Sequence, residues 1–142
     1  MPMTHADYWA AHESAHADVL KACPGSTWPR LLETMPGWFP AIVTFARRVN
    51  HSGLAIDVST VKTKMGGLRI YYEVRPGGGH HPRIDALVDA AEDACSERCE
   101  YCGGWADHAD GEPWVRLLCK PCKRKQGPKA AMFTHMEKPC ET

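Results

Sequence analysis

The sequence predicts an α+β fold in which N-terminal helices pack on a β-hairpin, one long helix follows, and a compact cysteine module comes last. Three observations predict it. Apolar residues recur every three or four positions up to Val49, alternate from Leu54 to Arg75, and return to helical spacing from Ile84. Gly66-Gly67 interrupts the alternating stretch as a hairpin turn would. Two CxxC pairs, Cys99-Glu100-Tyr101-Cys102 and Cys119-Lys120-Pro121-Cys122, follow the last helical stretch.

Thr4, with Asp7 three residues later, fits a capping box, and Cys23-Pro24-Gly25 ends the first helix. Tyr8, Ala11, Ala15, Val19 and Leu20 form its apolar stripe. A second, short helix is expected from Ser26 or Thr27 through Glu33, because Pro29 is tolerated in a first turn. A third spans Trp38 to Val49, with Phe39, Ile42, Val43, Ala46 and Val49 at helical spacing, and Asn50-His51-Ser52-Gly53 stops it. In the hairpin over residues 54–75, Ile56 and Val58 share one parity and Val61, Thr63 and Met65 the other, which places a bulge near Ser59-Thr60. Beyond the two-glycine turn, Leu68, Ile70, Tyr72 and Val74 face one way and Arg69, Tyr71, Glu73 and Arg75 the other. Pro76 to Pro82 is a glycine-rich connector. A helix over 82–98, with Ile84, Leu87, Val88, Ala91 and Cys95 on one face, delivers the chain to the first cysteine pair.

The spacing of Cys99, Cys102, Cys119 and Cys122 matches a four-thiolate zinc site. Each CxxC turn aims two thiolates at one ion, and the 16 residues between the pairs fall within zinc-ribbon or treble-clef spacing. Gly103-Gly104 permits the sharp turn after the first pair, Asp110-Gly111 is a hairpin signal between the pairs, and Val115 to Leu118 leads into the second. Two disulfides or free thiols are the alternatives. The start Met1 to Asp7 lacks the basic and apolar regions of an export signal, which favours a reduced cytoplasmic setting and one structural zinc ion. Seven cysteines leave Cys23, Cys95 and Cys140 outside the shell, with Cys95 near enough to Cys99 to replace a ligand. The expected organisation is an α+β domain over 1–98, a zinc ribbon over 99–124 and a basic, flexible tail over 125–142.

At 142 residues and 44% hydrophobic, the chain supports a compact core, and no apolar run is long enough to cross a membrane. Seventeen basic residues balance 17 acidic ones, so the protein as a whole is not built to neutralise phosphates. The distribution is uneven. Residues 85–112 hold nine acids against Arg98, whereas 119–130 hold Lys120, Lys123, Arg124, Lys125 and Lys129 and no acid.

His12-Glu13-Ser14-Ala15-His16 spells HExxH, in which two histidines can hold zinc while the glutamate activates water. The continuation that would complete a metzincin site is missing: Val19 replaces the glycine and Ala22 the third histidine. Glu33 lies beyond the Pro24-Gly25 and Trp28-Pro29 breaks. The expectation is a solvent-facing histidine pair on an amphipathic helix and no enzyme, with a small zinc peptidase through His12, Glu13 and His16 as the least favoured alternative. Cys23, Cys95 or Cys140 beside a histidine makes a weaker case for a nucleophile. Gly77 to Gly79 lacks the lysine and hydroxyl of a phosphate loop, and His80 and His81 are expected to be solvated.

The combination Gly37-Trp38-Phe39, Lys62-Thr63-Lys64-Met65-Gly66-Gly67-Leu68-Arg69-Ile70-Tyr71-Tyr72 and CxxCG followed by Trp114-Val115-Arg116-Leu117-Leu118-Cys119 resembles a group of small zinc-ribbon proteins encoded in bacteriophages and prophages. Those carry a GWF element, a KxKxGGLRxYY hairpin and a C-terminal CxxCG…WxRxLCxxC site. The resemblance covers residues 37–122, with Met65 and Ile70 where phenylalanines are expected. It implies a phage origin, a host-cell cytoplasmic location and a zinc ribbon, and through them a binder that inhibits or redirects a host or defence complex.

Two surfaces are candidates for that binding. Arg69, Tyr71 and Arg75 lie on the outward hairpin face, rich in the residue types that dominate interface energetics, and an open two-stranded sheet offers an edge for strand addition. Trp114, Arg116, Lys120, Lys123, Arg124 and Lys125 make an alternative, a nucleic-acid contact through the basic segment.

Overall fold

The computed structural model describes residues 3–106 and 116–124. Its order is α1 (His5–Ala22), a 3₁₀ turn (Pro36–Trp38), α2 (Phe39–Ser52), β1 (Ala55–Lys64), β2 (Gly67–Arg75) and α3 (Pro82–Cys95). The mixed α+β class is therefore as the sequence predicts. No helix among the described residues is long and apolar enough to cross a membrane.

Helix α1 starts on the expected capping box. The Asp7 N–H donates to Thr4 Oγ1 at 3.0 Å, and the Thr4 N–H donates to Asp7 Oδ2 at 3.1 Å. Its buried face holds Tyr8, Trp9, His12, Ala15 and Val19, while Leu20, assigned to the stripe by spacing, is 44% exposed.

Residues 26–33 are extended, not helical. Trp28 precedes a proline, which disfavours the α region for it, and the backbone finds its partners on β1 instead. The Thr27 N–H donates to the Ile56 carbonyl at 3.0 Å and the Glu33 N–H to the Val61 carbonyl at 2.8 Å, as parallel bridges at the two ends of β1. The segment thus takes positions along the strand edge that the sequence left open for strand addition. On its other side it is held by α1. The Tyr8 hydroxyl lies 3.1 Å from the Leu32 and Thr34 carbonyl oxygens, and the Leu32 N–H donates to His12 Nε2 at 2.8 Å.

Helix α2 buries the predicted Phe39, Ile42, Val43, Ala46 and Val49, together with Phe45, whose ring meets Trp28 edge-on. It runs three residues beyond the expected end and stops at Gly53, which adopts φ 75°. The hairpin carries the predicted irregularity between Val58 and Thr60. Its turn is Met65-Gly66, with φ 53° and 76°, and Gly67 already pairs with Lys64 as the first residue of β2. Two successive positive φ values match the right-handed twist of the strands, which explains why the turn sits one residue earlier than the glycine pair suggests. Leu68, Ile70 and Tyr72 are buried, Val74 is half-buried, and Tyr71, Glu73 and Arg75 are exposed, as the alternation requires.

Helix α3 ends at Cys95, three residues short of the predicted 98, and buries Ile84, Val88, Ala91 and Cys95. His81, expected to be solvated, caps it by accepting the Arg83 N–H on Nδ1 at 3.1 Å, while the His80 ring stacks on Tyr72. One cluster of buried residues runs from Tyr8 through all three helices and the hairpin to Cys99, Leu117, Leu118 and Cys122.

Burial of His12 has a consequence for acid stability. Desolvation lowers its imidazole from the ordinary 6.5 to about 4, with His16 adding to the shift and Glu13 opposing it. The unfolded chain takes up this proton as pH falls through 6.5, but the folded chain does so only near 4. Across that window the native state should lose up to about 1.4 kcal/mol per pH unit from this residue. Urea denaturation between pH 7 and 4 checks this: His12→Gln, which retains an acceptor for the Leu32 N–H, should flatten the slope, and an unchanged slope would contradict it.

Candidate metal centre

The first cysteine pair leaves α3 through a short turn. Cys99 N–H donates to the Gly104 carbonyl at 2.6 Å and Gly103 N–H to the Cys99 carbonyl at 2.8 Å, with Gly103 at φ 80°. This closes the chain tightly enough for backbone amides to point at sulfur. The Cys102 N–H lies 3.5 Å from Cys99 Sγ, and the Gly104 N–H lies 3.3 Å from Cys102 Sγ. The second pair opens a helical turn over residues 120–124, begun by the Lys123 N–H bonding the Cys119 carbonyl at 2.9 Å.

The four sulfurs lie within 4.8 Å of one another, the only such group of potential metal ligands among the described residues. Cys102 Sγ and Cys119 Sγ are 3.8 Å apart. That is nearly twice a disulfide bond, yet it equals the edge of a tetrahedron, about 3.8 Å, whose corners sit 2.3 Å from a central zinc. Burial raises the Cys99 and Cys122 thiols. At Cys119, burial is outweighed by hydrogen bonds from Cys122 and the neighbouring thiols, and the group is lowered. Four thiolates so close would repel one another without a cation, so the donor set fits a divalent metal whose binding releases protons. These four cysteines can hold a metal ion, as their spacing predicts.

What holds this cluster against the rest of the fold is Glu100, inside the first pair and fully buried. Its Oε2 accepts from the Met35 N–H at 2.9 Å, from the Thr63 hydroxyl and from the Arg116 guanidinium, which itself donates to Thr63 Oγ1 at 3.1 Å. Burial raises the Glu100 carboxyl, and the Arg116 charge followed by the Thr63 and Met35 donors opposes that rise. Backbone contacts reinforce the junction. The Glu100 carbonyl accepts from Gly37 N–H at 2.6 Å, the Glu100 N–H donates to the Leu117 carbonyl at 2.7 Å, and Trp38 Nε1 donates to the Arg98 carbonyl at 2.9 Å. Gly37 has no room for a side chain: a Cβ there would lie 2.5 Å from the Gly103 nitrogen and closer still to the Cys99 carbonyl oxygen. The GWF element, the hairpin and the two cysteine pairs, far apart in sequence, therefore meet at one point.

Arg116, assigned to a partner surface, is buried against Glu100 and is a structural ion-pair member. Arg75 binds Asp57 at 2.9 Å and donates to the Gly25 carbonyl, and Arg69 donates to the Leu68 carbonyl at 2.8 Å. Tyr71 stays 42% exposed, with the Lys62 ammonium 5.8 Å above its ring. Lys120, Lys123 and Arg124 are exposed. Trp114, Lys125, Lys129, Cys140, the Asp110-Gly111 turn and the tail lie outside the described residues. Cys23 and Cys95 are buried free thiols, and burial pushes Cys95 up to about 12.

The HExxH histidines do not face solvent as a pair. His12 is 4% exposed with Nε2 occupied by the Leu32 N–H, and His16 Nε2 lies 2.8 Å from the Pro29 carbonyl oxygen. Together they fasten the extended segment to α1. Sequence reasoning missed Glu100 altogether, because a glutamate between two metal ligands reads as a solvated loop residue. The nearest signal in the sequence was the presence of both Gly37-Trp38-Phe39 and CxxCG, whose glycine and knuckle prove to be in contact.

No protein-family model, curated protein or solved structure matches this chain. Geometry alone thus defines it as an α+β protein with a four-cysteine metal-type centre.

Replacing Glu100 by Ala strands the buried Arg116 charge and should cost about 3–5 kcal/mol in chemical denaturation. Gly37→Ala should destabilise by about 1–3 kcal/mol or more through overpacking, and full stability would contradict the close docking. Chelating the metal should raise amide hydrogen exchange at Met35 and Gly37 together with Glu100. Continued protection of Met35 and Gly37 while Glu100 opens would show that the junction does not depend on the metal.

Proposed function

We propose that this is a non-enzymatic, phage-type zinc protein that binds a host or defence protein complex and inhibits or redirects it. The observation that carries the proposal is the four-thiolate cluster itself. A tetrahedral zinc ion with four cysteine ligands has no open position for water or substrate, so it stabilises a surface instead of performing chemistry. The arrangement of one pair in a tight turn and the other at the start of a helical turn agrees with that role. Engagement of both HExxH imidazoles with backbone groups supports the same non-enzymatic reading.

The hairpin face supplies the surface. Tyr71 projects from β2 beside Lys62 on a sheet whose register is locked by the bulge and whose β1 edge is bridged by Thr27 and Glu33. A rigid, exposed tyrosine beside cations is the kind of anchor that concentrates interface energy in few residues. The resemblance to small phage proteins gives the partner its class.

Affinity capture from bacterial lysate with the tagged, zinc-loaded protein, with and without nuclease, tests this. A nuclease-resistant protein complex should be recovered, then weakened by roughly tenfold or more with Tyr71→Ala and lost with Cys99→Ser/Cys102→Ser. A partner retained equally by all three proteins, or none at all, would contradict it.

A further inference from the structure

We propose that Trp105 and the basic turn after the second cysteine pair form a platform for single-stranded nucleic acid, separate from the hairpin face and independent of the reading given to that face. Trp105 is 67% exposed, the most open of the large apolar side chains among the described residues. The Arg98 guanidinium carbon lies 5.7 Å from its ring centroid. An exposed indole paired with a guanidinium is a surface on which bases of any identity stack.

The indole is presented on fixed backbone. Arg98 and Trp105 form an antiparallel bridge, the Ala106 N–H donates to the Glu97 carbonyl at 2.9 Å, and the Cys99 N–H donates to the Gly104 carbonyl on the other side. Binding would therefore order little that is not already ordered, which favours affinity.

The cations that would follow a phosphate backbone sit at the same end. Trp105 follows Gly104, whose N–H is 3.3 Å from Cys102 Sγ, and Lys120 follows Cys119, whose Sγ is 3.8 Å from that same sulfur. The indole and the turn carrying exposed Lys120, Lys123 and Arg124 thus flank one ligand of the metal centre. Glu97 is the exposed acid beside Arg98, whereas Glu100 is buried against Arg116 and presents no charge outward. Among the described residues from 93 onward, exposed Arg98, Lys120, Lys123 and Arg124 outnumber exposed Asp93 and Glu97, which favours a polyanion. The stacking ring favours one whose bases are unpaired.

Fluorescence anisotropy of a labelled oligothymidylate with the zinc-loaded full chain, over a salt series, tests the proposal. The oligomer should bind in preference to a duplex of equal length. Trp105→Ala should weaken binding about tenfold, with Trp105→Phe in between. Replacing Lys120, Lys123 and Arg124 by Gln should reduce the slope of log affinity against log salt by about 2. Tyr71→Ala should leave binding unchanged, which separates this surface from the hairpin face. Metal content is measured for each variant, and Trp105→Phe decides the matter if Trp105→Ala loses metal. No binding at about 50 mM salt, or equal binding by metal-loaded wild-type and Trp105 variants, would overturn the proposal. So would a protein as the only species crosslinked at position 105.

Discussion

A carboxylate taken out of water must be answered by donors, and the way this chain answers Glu100 organises the region around the metal centre. The side chain is fully buried, yet its Oε2 collects the Met35 N–H, the Thr63 hydroxyl and the Arg116 guanidinium from three separate segments. Each donor is brought there by a different element: the turn before α2, the end of β1, and the arm leading to the second cysteine pair. An unpaired buried charge would be far more costly than the geometry needed to pair it, so these segments are constrained together. Since Glu100 lies between Cys99 and Cys102 and Arg116 lies just ahead of Cys119, drawing the thiolates together also draws this ion pair together.

Much of this architecture was legible because local signals agreed with the global fold. The Thr4-Asp7 capping box, the parity change at Ser59-Thr60, the glycine stop at Gly53 and the cysteine spacing each depend on a few neighbouring residues, and each recurs in the structure. Residues 26–33 escaped because their conformation is set by long-range partners, β1 on one side and Tyr8, His12 and His16 on the other, against a local pattern that tolerates a helix. Arg116 escaped for a related reason: a basic residue beside a cationic segment reads as surface until the buried carboxylate it serves is known. The HExxH string shows the opposite hazard. Its spacing is that of a catalytic motif, but its imidazoles are used as backbone clamps.

On the proposed reading, the four-cysteine cluster would stabilise the fold, and the surfaces beside it would do the binding. The hairpin face presents a tyrosine beside Lys62, and the Trp105 end presents an indole beside Arg98. In both, the aromatic is held by paired backbone, so little conformational entropy stands between the free protein and a bound state. Exposed aromatics anchored in this way are what the proposed binding role requires.

Zinc K-edge X-ray absorption of the purified protein reports the ligands of the ion themselves. A closed four-cysteine centre gives a single shell of four sulfur scatterers at about 2.3 Å and no nitrogen or oxygen ligand. A shell containing imidazole or water, or a protein that folds fully with no bound metal, would contradict a closed four-cysteine centre as the keystone of this fold.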